Sequence, residues 1–225
     1  MDSKVRAVQL LLGAAMLSGA CCQAAQAAPP LDLSIAYYSR VTTPEGVTRE
    51  ARYQDSMLRR PGHVWVTRVL PAGPAPARPA HAEFNPVLLA RHVMLQQGKV
   101  SVEFVDRRGR ERVAVPPAEY ANVGFDGSWE NAASLLDPRR VMSLPLSARP
   151  SPVAGAQWRE RERDGMFERV LWDAARELAL VIESGDKAAT VFKRVQVTVQ
   201  PGLAPVLPWT TLAGYAHKEY ADFLD

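Results

Sequence analysis

Gln157-Trp158-Arg159-Glu160-Arg161-Glu162-Arg163-Asp164-Gly165-Met166-Phe167-Glu168-Arg169-Val170-Leu171-Trp172-Asp173 is the stretch that decides the fold class. Asp164-Gly165 is a two-residue turn signal, and the segments on either side, Gln157 to Arg163 and Met166 to Asp173, read as strands of a hairpin. The pattern continues through Leu178 to Glu183 and Thr190 to Gln200, separated by Ser184-Gly185-Asp186. Four strands joined by tight turns make a meander.

Upstream, the same period of two recurs. Leu33, Ile35 and Tyr37 fall on one face while Asp32 and Ser34 fall on the other, the signature of a half-buried strand. Thr43-Pro44-Glu45-Gly46 reads as a turn, Val47 to Arg60 as a long and mostly polar strand, and Pro61-Gly62 as a second turn. His63 to Leu70 follows, rich in β-branched and aromatic residues. Lys99 to Asp106 places Val100, Val102 and Phe104 on one face, and a charged tip at Asp106-Arg107-Arg108-Gly109 leads into Arg112 to Val115. This makes nine predicted strands.

Helix signals are fewer. Asn85 as N-cap, Pro86 at the first helical position, an apolar-rich body from Val87 to Gln97 and Gly98 as the stop predict one helix. Ser128 as N-cap predicts a short second one through Leu136, closed by Asp137-Pro138, and Tyr215 to Leu224 has helical potential in an aromatic tail that should fold back on the sheet. Pro71 to Ala80 carries four prolines in ten residues and reads as an exposed loop or arm. The expected fold class is mainly β: an antiparallel sheet with two or three short helices, in one domain spanning residues 28–225.

Residues 1–27 read as an address. Lys4 and Arg6 precede an apolar run from Ala7 to Cys22, and Ala25-Gln26-Ala27 supplies a small-residue cleavage site, the layout of a secretory signal peptide. The run is shorter than the roughly 20 residues a membrane-spanning helix needs. A periplasmic or secreted protein starting near Ala28 is therefore expected. The alternative is a tether to the envelope through a lipidated Cys21, since Ser18-Gly19-Ala20-Cys21 is a poor copy of a lipoprotein box. Cys21 and Cys22 are the chain's two cysteines, so cleavage after Ala27 leaves no disulfide to staple the fold. Losing Lys4, Arg6 and Asp2 from 27 basic and 24 acidic residues leaves 25 and 23, a net charge of +2. That near balance argues against a nucleic-acid partner.

No nucleophile elbow, phosphate loop or dinucleotide fingerprint occurs, and no cofactor is expected. Ser184-Gly185-Asp186-Lys187 matches the Ser-x-x-Lys of penicillin-recognising enzymes without their partner motifs, and reads as a hairpin turn. Of the four histidines, His81, Glu83 and His92 form the one set that could hold a metal ion, though surface residues explain it as simply. His63 opens a strand and His217 sits in the tail. The five tryptophans, with Trp65, Trp158 and Trp172 on predicted strands, could line an apolar cavity or fill the core.

Leu58-Arg59-Arg60-Pro61-Gly62-His63-Val64-Trp65 resembles a segment of the LolA-like periplasmic lipoprotein carriers, in which a strand ends in a basic residue and Pro-Gly before a strand with an aromatic. Val170-Leu171-Trp172-Asp173 followed by Leu178 to Glu183 is a fainter echo of the same family. The resemblance implies a half-open, strongly curved, half-barrel-like sheet whose apolar interior holds an acyl chain or a lipoprotein segment without catalysis. Trp65 and Trp172 are then the first ligand-binding candidates. The competing expectations are an accessory module that docks on another envelope protein through the Pro-rich arm or aromatic tail, and a metal-dependent enzyme.

Overall fold

The computed structural model describes residues 28–71, 73 and 84–223. Its strands are β1 (Leu31–Thr42), β2 (Thr48–Arg60), β3 (His63–Val69), β4 (Ala90–Gln96), β5 (Lys99–Asp106), β6 (Glu111–Val115), β7 (Ala156–Arg163), β8 (Met166–Asp173), β9 (Leu178–Asp186), β10 (Val191–Val199) and β11 (Ala216–Glu219). Two short α-helices, α1 (Trp129–Ser134) and α2 (Pro138–Met142), and two 3-10 segments lie between them, and a third 3-10 segment, Tyr220–Phe223, follows β11. The strands form one sheet in the order β11-β6-β5-β4-β3-β2-β1-β10-β9-β8-β7. Two meanders therefore meet where β10 returns to pair with β1, from Leu33 opposite Val199 to Val41 opposite Val191. Every pairing is antiparallel except β11 on β6. The strands at the two ends do not pair with each other, so the sheet stays open.

The alternation in β1 has the consequence its period predicts. Leu33 and Ile35 are 1% and 0% exposed, and with Met57, Val64, Val93, Val102, Phe104 and Val113 they make the main core. Tyr120, Val123 and Phe125, around the 3-10 segment Pro117–Val123, and Ala133 of α1 cover that face. Ser128 caps α1 as its sequence signals, accepting from the Asn131 N–H at 3.0 Å. Asp137-Pro138 opens α2 as well as ending the turn before it, because the Asp137 side chain accepts from the Arg139 N–H. Val141 of α2 and Leu144 just after it pack on Val170, Trp172 and Ala179 in a second cluster.

The expected helix over Val87 to Gln97 is not there. Asn85 does accept from Val87 and Leu89, through its side chain and carbonyl respectively, but the coil ends after one turn and Ala90 starts β4. Gln97 and Gly98 have φ of 50° and 76°, the left-handed pair of a tight hairpin turn into β5. The reason is that β4 is buried on both faces: Val93 in the main core, Ala90 and His92 on the opposite side. A strand wrapped on both sides loses its alternation and cannot be told from a buried helix by period. The tail is corrected likewise, since Ala216–Glu219 is a strand and only Tyr220–Phe223 coils. Ser184 and Gly185 lie on β9, so the turn comes after them. There Asp186 accepts from the backbone N–H groups of Thr190 and Val191.

The Leu58–Trp65 segment has a structural role of its own. Arg59 is 1% exposed, and its guanidinium donates to the carbonyls of Pro29, Ala133, Arg176 and Glu177 at 2.5–3.2 Å. It ties β1's approach, the end of α1 and the β8–β9 turn to the end of β2. Burial lowers its pKa to about 10, still high enough to keep the charge at neutral pH. Next to it Arg60 pairs with Asp32 at 2.7 Å.

Candidate functional site

Strand register assembles a polar row on the face of β3–β6 opposite the main core. Trp65 lies opposite His92, His92 opposite Glu103, and Glu103 opposite Ala114, while His217 of β11 lies opposite Arg112. Side chains two residues apart share a face, so His63 and Arg112 join the same row. His92 and Glu103 are 2% and 5% exposed.

The row is bonded end to end. His92 Nδ1 meets Glu103 Oε1 at 2.9 Å, and Arg112 donates from Nε and Nη2 to Glu103 Oε2 at 2.9 and 2.7 Å. His63 Nδ1 lies 3.0 Å from His92 Nε2, and Arg112 Nη1 lies 3.3 Å from His217 Nε2. An ionised Glu103 can only accept, so His92 carries its proton on Nδ1 and a neutral His92 accepts from His63 Nδ1–H. Burial by itself would raise the Glu103 pKa, yet the bonds from His92 and Arg112 outweigh it and hold the carboxyl below its ordinary value. Burial first, and the neighbouring His92 second, push His63 below the usual histidine value.

The indole of Trp209, from the 3-10 segment Pro208–Thr211, closes the row. It stacks on His63 at 5.1 Å and on His92 at 5.3 Å, with Trp65 tilted beside it at 6.3 Å. Trp65, Ala90, Val105 and Leu212 form the small apolar cluster around this lid. Since both ring nitrogens of His92 are engaged, the row is a closed polar fastener that docks the C-terminal segment on the sheet. Among the described residues no group of three His, Cys, Asp or Glu side chains is arranged to hold a metal ion.

The opposite face opens near the β3–β4 ends. A trough of about 180 Å³ is lined by Asp55, Val66, Arg68, Arg91 and Phe104 from strands, by Val123, and by Pro86, Val87 and Leu89 of the turn before β4. Arg68 Nε pairs with Asp55 at 2.5 Å, and its guanidinium lies 3.9 Å over the Tyr53 ring, which stacks on Tyr37 at 4.5 Å. Burial, with Asp55 adding to it, pushes the Tyr37 pKa well above its normal value and keeps the phenol neutral. Arg91 Nε is buried without an acceptor among the described residues. A wider depression of about 370 Å³ lies around Ala36, Tyr38, Arg52, Gln54, Arg194 and Gln196. Its two guanidiniums are already paired, Arg52 with Glu50 and Arg194 with Glu183, both at 3.1 Å.

The chain is similar to a lipoprotein-sorting domain. That solved structure, a domain from Vibrio parahaemolyticus named for outer membrane lipoprotein sorting, matches 77% of this chain and 87% of its own at 10% identity and a TM-score of 0.32. A DUF1329 family protein from Desulfovibrio piger matches over 78% and 88% at 10% identity and a TM-score of 0.28. PNGF-II matches over 86% of this chain but 32% of its own, at 8% identity and a TM-score of 0.37. No family model and no curated protein matches the sequence.

The two tryptophans named from sequence are not brought together. Trp65, 3% exposed, belongs to the cluster under Trp209, and Trp172, 5% exposed, packs under α2. Of the three metal candidates, His81 and Glu83 lie outside the described residues, as do Cys21, the whole of residues 1–27 and most of the Pro71–Ala80 arm. His92 instead finds His63, Glu103 and Trp209. Sequence reading passed over Glu103 and Arg112 because their partners are set by register, and Arg91 because it was placed on a helix. No described helix is long and apolar enough to cross a membrane.

Proposed function

We propose that this is a non-catalytic binding protein of the cell envelope that takes an apolar chain into the trough between the sheet and the Asn85–Leu89 turn. One observation carries the reading: the core-side face of an open eleven-stranded sheet reaches the surface in a trough walled by Val66, Val87, Leu89, Phe104 and Val123, and lined also by the charged side chains of Asp55, Arg68 and Arg91. The rest of that face is filled by the packing of Tyr120, Val123, Phe125 and α1. The signal-like pattern of Lys4 to Ala27 supports an envelope location.

The volume limits what binds. At about 180 Å³ the trough is below the roughly 300–1,000 Å³ of pockets that enclose a drug-sized ligand, so it takes a section of chain. The remainder would run over the exposed Val87 and Leu88, 52% and 47% accessible, beside Val69 and Leu70 at the same end of β3 and β4. Burying about six methylenes at roughly 0.8 kcal/mol each yields about 5 kcal/mol, a sub-millimolar affinity from the apolar part alone.

The test is titration of the exported protein with a fluorescent fatty acid. Saturable one-to-one binding is expected, weakened about tenfold by Leu89→Asp in a variant that keeps its circular dichroism. Absence of saturable binding to folded protein refutes the reading.

A further inference from the structure

We propose that the ligand of this trough carries an anionic head, a carboxylate or a phosphate, and that Arg91 with Arg68 is its receptor; the inference rests on the binding reading above and deepens it. The first observation is the state of Arg91. Its Nε–H is buried with no acceptor among the described residues, and no carboxylate of those residues lies within ion-pair distance of its guanidinium. Buried polar groups in folded proteins are nearly always bonded, and an exception calls for a partner that completes it.

The second observation is the charge balance of the lining. Asp55 and Arg68 neutralise one another at 2.5 Å, and the remaining walls Val66, Val87, Leu89, Phe104 and Val123 are apolar. Tyr37 and Tyr53, the ionisable neighbours on the adjoining strands, stack on each other next to this pair, and Tyr37 is held neutral. Among the described residues, one positive charge of the lining is left without a carboxylate partner. A neutral ligand would leave it so, whereas an anion would satisfy both the charge and the orphaned N–H.

The third is geometry. Val66 lies opposite Arg91 across the β3–β4 ladder, so Arg91 and Arg68, two residues on from Val66, lie on the same face as the apolar wall. A guanidinium is a planar fork that grips two oxygens of a carboxylate or phosphate. An amphiphile with its head on Arg91 would lay its chain along Val66, Leu89 and Phe104. The other candidate sites differ in charge: the histidine row is bonded end to end, and in the larger depression Arg194, whose Nε likewise has no acceptor among the described residues, has its charge paired with Glu183 as Arg52 has with Glu50.

The experiment compares three probes of one chain length, dodecanoate, dodecyl phosphate and methyl dodecanoate, the two anions below their micelle concentrations and the ester below its solubility limit. Affinities are measured by calorimetry on the exported wild-type protein and on Arg91→Gln. Expected is a preference of about tenfold or more for the anions over the ester in the wild type. It should vanish in Arg91→Gln, which binds the anions and the ester alike. A stronger grip on dodecanoate identifies a fatty-acid-like head, and a stronger grip on dodecyl phosphate identifies a phospholipid-like one. Equal affinities of the wild type for all three probes, or a preference that survives in Arg91→Gln, overturns the anionic head while leaving the apolar trough standing. Failure of all three to bind the wild type overturns both.

Discussion

Glu103→Gln tests the histidine row most directly, because the carboxylate is the one group that bonds both of its halves. The side chain keeps its shape and loses its charge. An amide presents one acceptor and one donor, so it can serve His92 Nδ1–H or the Arg112 fork but cannot serve both. Breaking a buried charge pair by removing one partner costs about 3–5 kcal/mol in a dry site. Arg112 is 25% exposed and keeps some hydration, so the expected loss falls to about 2–4 kcal/mol. For a domain of this size that lowers Tm by roughly 5–15 °C.

The pH dependence sharpens the same test. The His63 pKa is lowered in the folded protein, so below about 6.5 the unfolded chain binds its proton first and stability falls with pH until the folded value is passed. Glu103 is also lowered, so its contribution is present above about 4.5 and is lost as pH falls through the folded value. Wild type should therefore weaken in two acid stages, and Glu103→Gln should lose the lower one. Thermal unfolding followed by near-ultraviolet circular dichroism, scanned from pH 8 down to about pH 2, measures both effects. A variant within about 0.5 kcal/mol of wild type at pH 7, the range of an inert surface change, would refute a buried, coupled row.

Two further substitutions probe the frame around the sites. Arg59→Met leaves the carbonyls of Pro29, Ala133, Arg176 and Glu177 without their donor, and should cost about 3–5 kcal/mol in denaturant unfolding. Amide exchange should rise first at the end of α1 and in the β8–β9 turn. Gly185→Ala puts a methyl 2.4 Å from the Val191 carbonyl and 3.0 Å from the Phe167 ring, so β9 must shift away from β10 at a cost of about 1–3 kcal/mol. An unchanged midpoint would show that the strands have slack at this place.

Period and turn chemistry are local, and they carried most of the sheet. The alternation of Leu33, Ile35 and Tyr37, the turns at Pro61-Gly62 and Asp164-Gly165, and the Ser128 cap are all found where the chain alone places them. Each of those elements buries one face, or caps one end, with groups a few residues away. The strands β4 and β11 were illegible for opposite reasons. The first is covered on both sides and has no period left, and the second is four residues long and exists because β6 accepts it as a parallel neighbour.

The functional groups depend on that long-range arrangement. His63, His92, Glu103, Arg112 and His217 come from five strands, and the bond between Arg112 and His217 spans 105 residues. Nothing in the spacing of four histidines announces which of them meet. The Trp65 and Trp172 candidates were sound as large apolar residues on strands, but their separation into two clusters follows from where α2 and the Trp209 segment settle. Arg91 turns from an unremarked helical residue into a lining cation of a trough, unpaired among the described residues, once β4 is a strand. Composition and period thus settled the class of fold, since burial of one face is an average over many residues. Site chemistry waited on register and on what covers each face, since a hydrogen bond or an orphaned N–H is decided by a single partner.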